Sequence, residues 1–154
     1  MKKLLYRLFA LRFRHCVDLV NAFGAGTHAK GRITQIADAA QTVANLLVKT
    51  GSAAGYAAVT TAATERPLGF AYTPCALGDS IAVDLLGKGG DTKLAVASGA
   101  ITNDARLVAA AGGKVALLSG AGSGTFYVIG RSIGAAADGE PIEVDDCHPY
   151  PVTQ

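Results

Sequence analysis

The sequence predicts an all-β fold: a small barrel or sandwich made of two duplicated β-meanders and preceded by an amphipathic N-terminal α-helix. Three observations carry this expectation. Nineteen glycines punctuate short runs rich in Val, Ala and Thr; glycine supplies the positive φ of tight turns, and β-branched residues fit a pleated surface. The stretch from Gly69 to Asp84 returns without gaps as Gly130 to Asp145, at an offset of 61. The first residues, in contrast, follow a helical period.

On a helix, Lys3, Arg7, Arg14, Asp18 and Asn21 share one stripe. Leu5, Leu8, Phe9, Cys16, Leu19, Val20 and Phe23 gather opposite them, the pattern of an amphipathic segment. Arg12 alone points to the apolar side, where its stem can lie along the surface while the head reaches water. Gly24, Ala25 and Gly26 end the helix, giving an arm over 1–26. Arg7, Arg12 and Arg14 interrupt the uncharged core that a secretory signal needs. A membrane span fails similarly, for want of roughly twenty consecutive apolar residues. Docking on the arm's own domain, on neighbouring subunits and at a membrane interface all remain open, and docking on a neighbour is favoured.

Residues 27–44 read as an extended connector or first strand, and 45–154 as the duplicated β domain, with halves at about 45–86 and 105–147. Upstream of the gapless match, Leu47-Val48 sits against Leu107-Val108. Gly55-Tyr56-Ala57-Ala58-Val59 likewise sits against Gly113-Lys114-Val115-Ala116-Leu117. Each half then reads as a strand, a glycine turn, a short strand, a strand entering at Gly69 or Gly130, an alanine-rich loop and a final strand. In Leu77-Gly78-Asp79-Ser80 and Ala137-Asp138-Gly139-Glu140, glycine permits the reversal and the acids keep the turn solvated. Two meanders closing on each other would limit exposed strand edges.

The surface is expected to be small-residue and weakly charged, because charged residues are only 17% and Trp is absent. The charge is split along the chain. Up to Thr64 there are eight Lys or Arg against two acids, and from Glu65 onward ten acids against six bases, so the parts carry +6 and −4 within the net +2. A basic head precedes an acidic body.

Chemistry is sparse, and the protein is read as no enzyme, with no cofactor and no metal. Of three histidines, His15 lies in the basic helix and His28 just after it, which leaves His148 in Asp145-Asp146-Cys147-His148. Adjacent strand residues point to opposite faces and do not converge on one ion. Cys16, Cys75 and Cys147 show no paired spacing and read as packed or reduced thiols, with an intermolecular disulfide as the minority alternative. Gly120-Ala121-Gly122-Ser123-Gly124 and Gly87-Lys88-Gly89-Gly90 lack the continuation of a phosphate-binding loop. Nucleic acid is not an expected partner, since the body is acidic and the basic residues are not interleaved with stacking aromatics. A membrane is likewise not an expected partner.

From about Asn45 to Val152 the chain resembles tailed-phage capsid decoration proteins, also called cement or head-stabilising proteins. The resemblance rests on Pro67 to Ala71, Gly78 to Gly87, Val96 to Ile101, Ala110 to Val115 and Gly130 to Cys147, taken as an ordered series. It implies a structural virion protein on the outer capsid surface, often trimeric or another small homo-oligomer, that stabilises contacts between major capsid subunits. The major capsid protein and further copies of the chain are then the expected partners. Leu5, Arg7, Leu8, Phe9, Phe13 and Arg14 are the candidate capsid or subunit interface, with apolar anchors at the centre and cations at the rim. The long N-terminal helix departs from shorter family members. The competing readings are a secreted or surface-associated β-barrel that binds a ligand and a peripheral membrane-associated structural protein.

Overall fold

The computed structural model describes residues 31–88, 92–145 and 148–154. Among these the fold is all β, with eleven strands and no α-helix. The expected amphipathic helix over 1–26 lies outside the described residues.

The first five strands are β1 (Arg32–Ala37), β2 (Leu46–Thr50), β3 (Tyr56–Val59), β4 (Gly69–Ala71) and β5 (Ser80–Leu85). They form a closed barrel in the order β1-β3-β2-β4-β5. β1 pairs antiparallel with β5 from Arg32 opposite Asp84 to Ile36 opposite Ser80. It also pairs parallel with β3 through Ile36–Tyr56 and Ala37–Ala57. Alternate residues face inward, so Ala37, Val48, Ala57, Ala71, Ile81 and Val83 form one buried cluster. Its small side chains suit the narrow interior of five strands.

The remaining strands are β6 (Lys93–Val96), β7 (Arg106–Ala109), β8 (Val115–Leu117), β9 (Thr125–Ile133), β10 (Pro141–Val144) and β11 (Tyr150–Thr153). They form a sheet in the order β6-β10-β9-β7-β8, with β11 on the first half of β9. The pairing repeats that of the barrel strand for strand. Ala37 N–H donates to Asp79 O at 2.8 Å and Gly78 N–H to Ala37 O at 2.9 Å; Ala97 to Glu140 at 2.9 Å and Gly139 to Ala97 at 3.0 Å are the counterparts. The bridge between Gln41 and Cys75 returns as Ile101 with Ala136, and the parallel contact of Ala37 with Ala57 as Ala97 with Val115. Asn45 (φ 61) and Asp104 (φ 56), the described non-glycine residues with left-handed backbone, open β2 and β7 at equivalent places.

This connectivity corrects the expectation of two meanders closing on each other. The first copy closes on itself, because β1, which the sequence left as connector or strand, crosses over to pair with both β5 and β3. The turn acids also do more than keep the loop solvated. Ala76 N–H donates to Asp79 Oδ2 at 2.8 Å, and Ala137 N–H to Glu140 Oε2 at 3.0 Å, so each acid satisfies a backbone donor inside its own turn.

The copies are joined through a face that each uses differently. Val48 and Ala71 point into the barrel, whereas Leu47 and Phe70, directly opposite each other on β2 and β4, point out of it. Both are fully buried among Ala95, Leu107, Ile129 and Ile142 of the second copy. There β8 meets β6 through the single bridge Ala97–Val115, and β2 lies against both β6 and the Ala111–Gly113 turn that leads into β8. Leu47 and Phe70 thus close the seam that the second copy leaves open, and each contributes about 1.5–3 kcal/mol by leaving water.

The glycines at Gly69 and Gly130 have a steric reason to recur. A Cβ would lie 2.0 Å from Asp84 O at the first and 2.6 Å from Asp145 O at the second, which would push the neighbouring strand away. Gly69→Ala is expected to destabilise the protein by at least about 2 kcal/mol, read from the midpoint of urea unfolding. Gln41 is 3% exposed, and neither Nε2 nor Oε1 has a partner among the described residues; the second copy has Ile101 in its place. Gln41→Ile is expected to stabilise by about 1–3 kcal/mol, and an unchanged or lower midpoint would show that the amide is satisfied.

Candidate interaction surfaces

The candidate interface residues Leu5, Arg7, Leu8, Phe9, Phe13 and Arg14 lie outside the described residues, as do His15, Cys16, His28, Asp146 and Cys147. The other residues singled out for chemistry fall apart in space. His148 stands against Gly87, where an added Cβ would come within 2.6 Å of its ring. Cys75 is a free, half-buried thiol whose backbone pairs with Gln41. Asp145 Oδ1 accepts the Arg131 N–H at 2.5 Å. Gly120 to Gly124 lead into β9 and open no helix. Among the described residues no three His, Cys, Asp or Glu side chains are grouped to hold a metal, and no helix is long and apolar enough to cross a membrane.

The densest charged cluster sits between the copies. Arg32 Nε donates to Asp84 Oδ1 at 2.6 Å, and Lys93 Nζ lies 3.6 Å from Asp84 Oδ2. The Arg32 guanidinium also stands 5.6 Å from the centre of the Tyr72 ring, within cation–π range. Burial pushes the Asp84 carboxyl up, but hydrogen bonds from Arg32 and Tyr72 and the charges of Arg32 and Lys93 outweigh it and hold it below the usual range. One carboxylate thereby ties β1 and β5 to the first residue of β6. In sequence the three residues are scattered, and nothing in their spacing singles them out.

A second clamp holds the β3–β4 connection. Glu65 accepts from Lys49 Nζ, from Thr61 N–H at 2.7 Å and Oγ1 at 3.0 Å, and from Ala62 N–H at 3.3 Å. Beyond it a groove of about 450 Å³ runs between the copies, lined by Thr61, Ala62, Ala109, Ala110, Ala116 and Leu117 among others and by no charged side chain.

The outer face of β6-β10-β9 carries exposed apolar side chains. Leu94, Glu143 and Ile133 lie directly opposite one another across these three strands. Leu94 is 46% and Ile133 47% exposed, and exposed Pro141 adjoins them. Thr92 Oγ1 donates to the carboxylate of Glu143. At the loop end of the barrel, Val43 and Leu77 are exposed as well.

No family model and no curated protein matches the chain. Among solved structures it is similar to the head fiber gp8.5 N base in bacteriophage phi29. The TM-score is 0.60 at 16% sequence identity, over 75% of this chain and 92% of that one. At this identity the two share a fold.

Burial pushes the Glu65 carboxyl up, but the hydrogen bonds from Lys49, Thr61 and Ala62 prevail and bring it from 4.5 down to about 2. A depressed carboxylate stabilises the fold in full above its unfolded value and loses that contribution as pH falls through the folded one. The unfolding midpoint is therefore expected to drop between pH 4.5 and 2. Glu65→Gln should lower stability at pH 7 by about 1 kcal/mol, the clamp being partly solvated, and flatten that drop. A variant with the same acid limb as the parent would remove Glu65 as its cause.

Proposed function

We propose that this protein is a structural component of a phage particle, a non-enzymatic β module that binds the outer surface of the capsid as a small homo-oligomer and stabilises contacts between major capsid subunits. The observation that carries the reading is the fold likeness to the base of a phage head fiber, which extends over 92% of that chain. The ordered resemblance to capsid decoration proteins between Asn45 and Val152 points to the same setting. The binding partners are the major capsid protein and further copies of the chain.

The physical demands of such a role are met without chemistry. An oligomer that engages several lattice sites gains through effective concentration, so no single contact has to be tight. The body supplies a cross-braced platform, with two copies held by Leu47, Phe70 and the Asp84 cluster. The basic, apolar arm supplies anchors, with Leu5, Leu8, Phe9 and Phe13 as apolar contacts and Arg7 and Arg14 at the rim.

The test is to add purified full-length protein to undecorated heads and image them. Regular extra density at lattice sites is expected; bare heads at saturating protein would overturn the proposal. Deleting residues 1–26 should leave the thermal unfolding of the body unchanged while lowering head occupancy or oligomer formation at least about tenfold. Equal loading together with an unchanged oligomeric mass would remove the arm from the interface.

A further inference from the structure

We propose that the cleft where β4 and β5 part is a binding site for a carboxylate carried on an aliphatic protein segment, with Arg66 and Lys88 as its cations. Charge pairing among the described residues singles out this place. Of their eight Lys and Arg, Arg32, Lys49, Lys93, Lys114 and Arg131 stand in ion pairs. Arg66, Lys88 and Arg106 have no such partner among the described residues, and Arg66 and Lys88 border one cavity of about 360 Å³. Pro67, Leu68, Leu85 and Leu86 give it an apolar lining, and no acidic side chain is among the described residues around it. Glu65, next to Arg66 in sequence, is already held by Lys49, Thr61 and Ala62.

The internal duplication shows that the fold does not need cations here. β4 and β5 pair from Ala71 opposite Val83 to Gly69 opposite Leu85, and the ladder ends with a bond from Leu86 N–H to Leu68 O at 3.0 Å. At the offset of 61, Arg66 and Lys88 correspond to Tyr127 and Pro149. There the second copy covers itself, because Tyr127 lies opposite Pro151 where β11 pairs with the first half of β9. The first copy has no such strand among its described residues. Its cleft stays open, and both cations are exposed beside it.

The lining specifies the ligand. Two cations without a counter-charge attract a negative group, and the planar fork of Arg66 fits a carboxylate through two parallel hydrogen bonds. A bare inorganic anion would leave the leucines and prolines unused, and a nucleotide would find no aromatic ring to stack on among the described lining. An aliphatic side chain next to a carboxylate uses both parts. The volume lies at the lower end of the range for ligand pockets, roughly 300–1,000 Å³, so a short stretch of chain enters it. The protein's own N-terminal arm has the wrong sign. Gly31 lies against Lys88, and the residues before it include six Lys or Arg and a single acid, Asp18.

The test titrates nitrogen-15-labelled full-length protein with acetyl-leucyl-glutamyl amide and follows the backbone amides. Saturable shifts at Leu68, Leu86 and Lys88 are expected at millimolar peptide, shrinking as salt is raised. Arg66→Ala with Lys88→Ala should weaken binding at least about tenfold while the spectrum away from the cleft matches the parent. Arg106→Ala, which removes the third unpaired cation from outside the cleft, should leave the affinity unchanged; an equal loss there would assign the effect to net charge and overturn the proposal. Equal shifts with acetyl-leucyl-glutaminyl amide would overturn it by showing that the carboxylate is not read. Equal affinity for inorganic phosphate would do so by showing that the aliphatic part is not. No saturable shift at all would remove the site.

Discussion

The insertion of Leu47 and Phe70 into the second copy is the contact on which the architecture depends. The barrel of the first copy closes through its own ladders, but the second leaves β6 and β8 joined by one bridge. Its core would be open to water there if β2 and β4 did not cover it. The buried cluster around Ile129 and Ile142 therefore includes two residues from the other copy, and the halves are one folding unit despite their duplicated plan. Charge follows the same seam, where Asp84 draws Arg32 and Lys93 together.

The duplication has diverged where the copies meet and where they face outward, and much less in how the backbone pairs. Phe70 on β4 corresponds to Arg131 on β9, and Leu47 on β2 corresponds to Arg106 on β7, by the shared registers, which corrects by one residue the sequence alignment of Leu47-Val48 with Leu107-Val108. The face that docks in the first copy is thus charged in the second, where Arg131 pairs with Asp104. A head-to-tail contact between like modules would otherwise continue from molecule to molecule. The charged face of the second copy lacks the apolar pair by which the first copy docks. The turns, by contrast, keep their glycine and their acid in both copies, because the backbone donor beneath them must be satisfied in either setting.

The outer surfaces were legible in sequence only in part. The alternation within β6, β9 and β10 shows that Leu94, Glu143 and Ile133 do not face inward, yet it does not reveal that they form one row. Their alignment is a matter of register between strands far apart in the chain. The alanine-lined groove is similarly distributed, since its walls come from the β3–β4 connection of one copy and β7 and β8 of the other. The candidate residues of the arm were found from helical spacing alone, which identifies a face and leaves its receptor unnamed.

The sequence by itself determined the class of fold, the repeat and the turn positions. Those features are local: glycine permits a backbone that other residues resist, alternation marks an inward face, and a gapless match between Gly69–Asp84 and Gly130–Asp145 exposes the copy. Only the tertiary structure decided how the copies close and join. The crossover of β1 onto β5, the exit of Leu47 and Phe70 from their own barrel, and the meeting of Arg32, Asp84 and Lys93 each involve residues distant in sequence. Periodicity within a strand says which way a side chain points, but what it meets there depends on the packing of the whole chain.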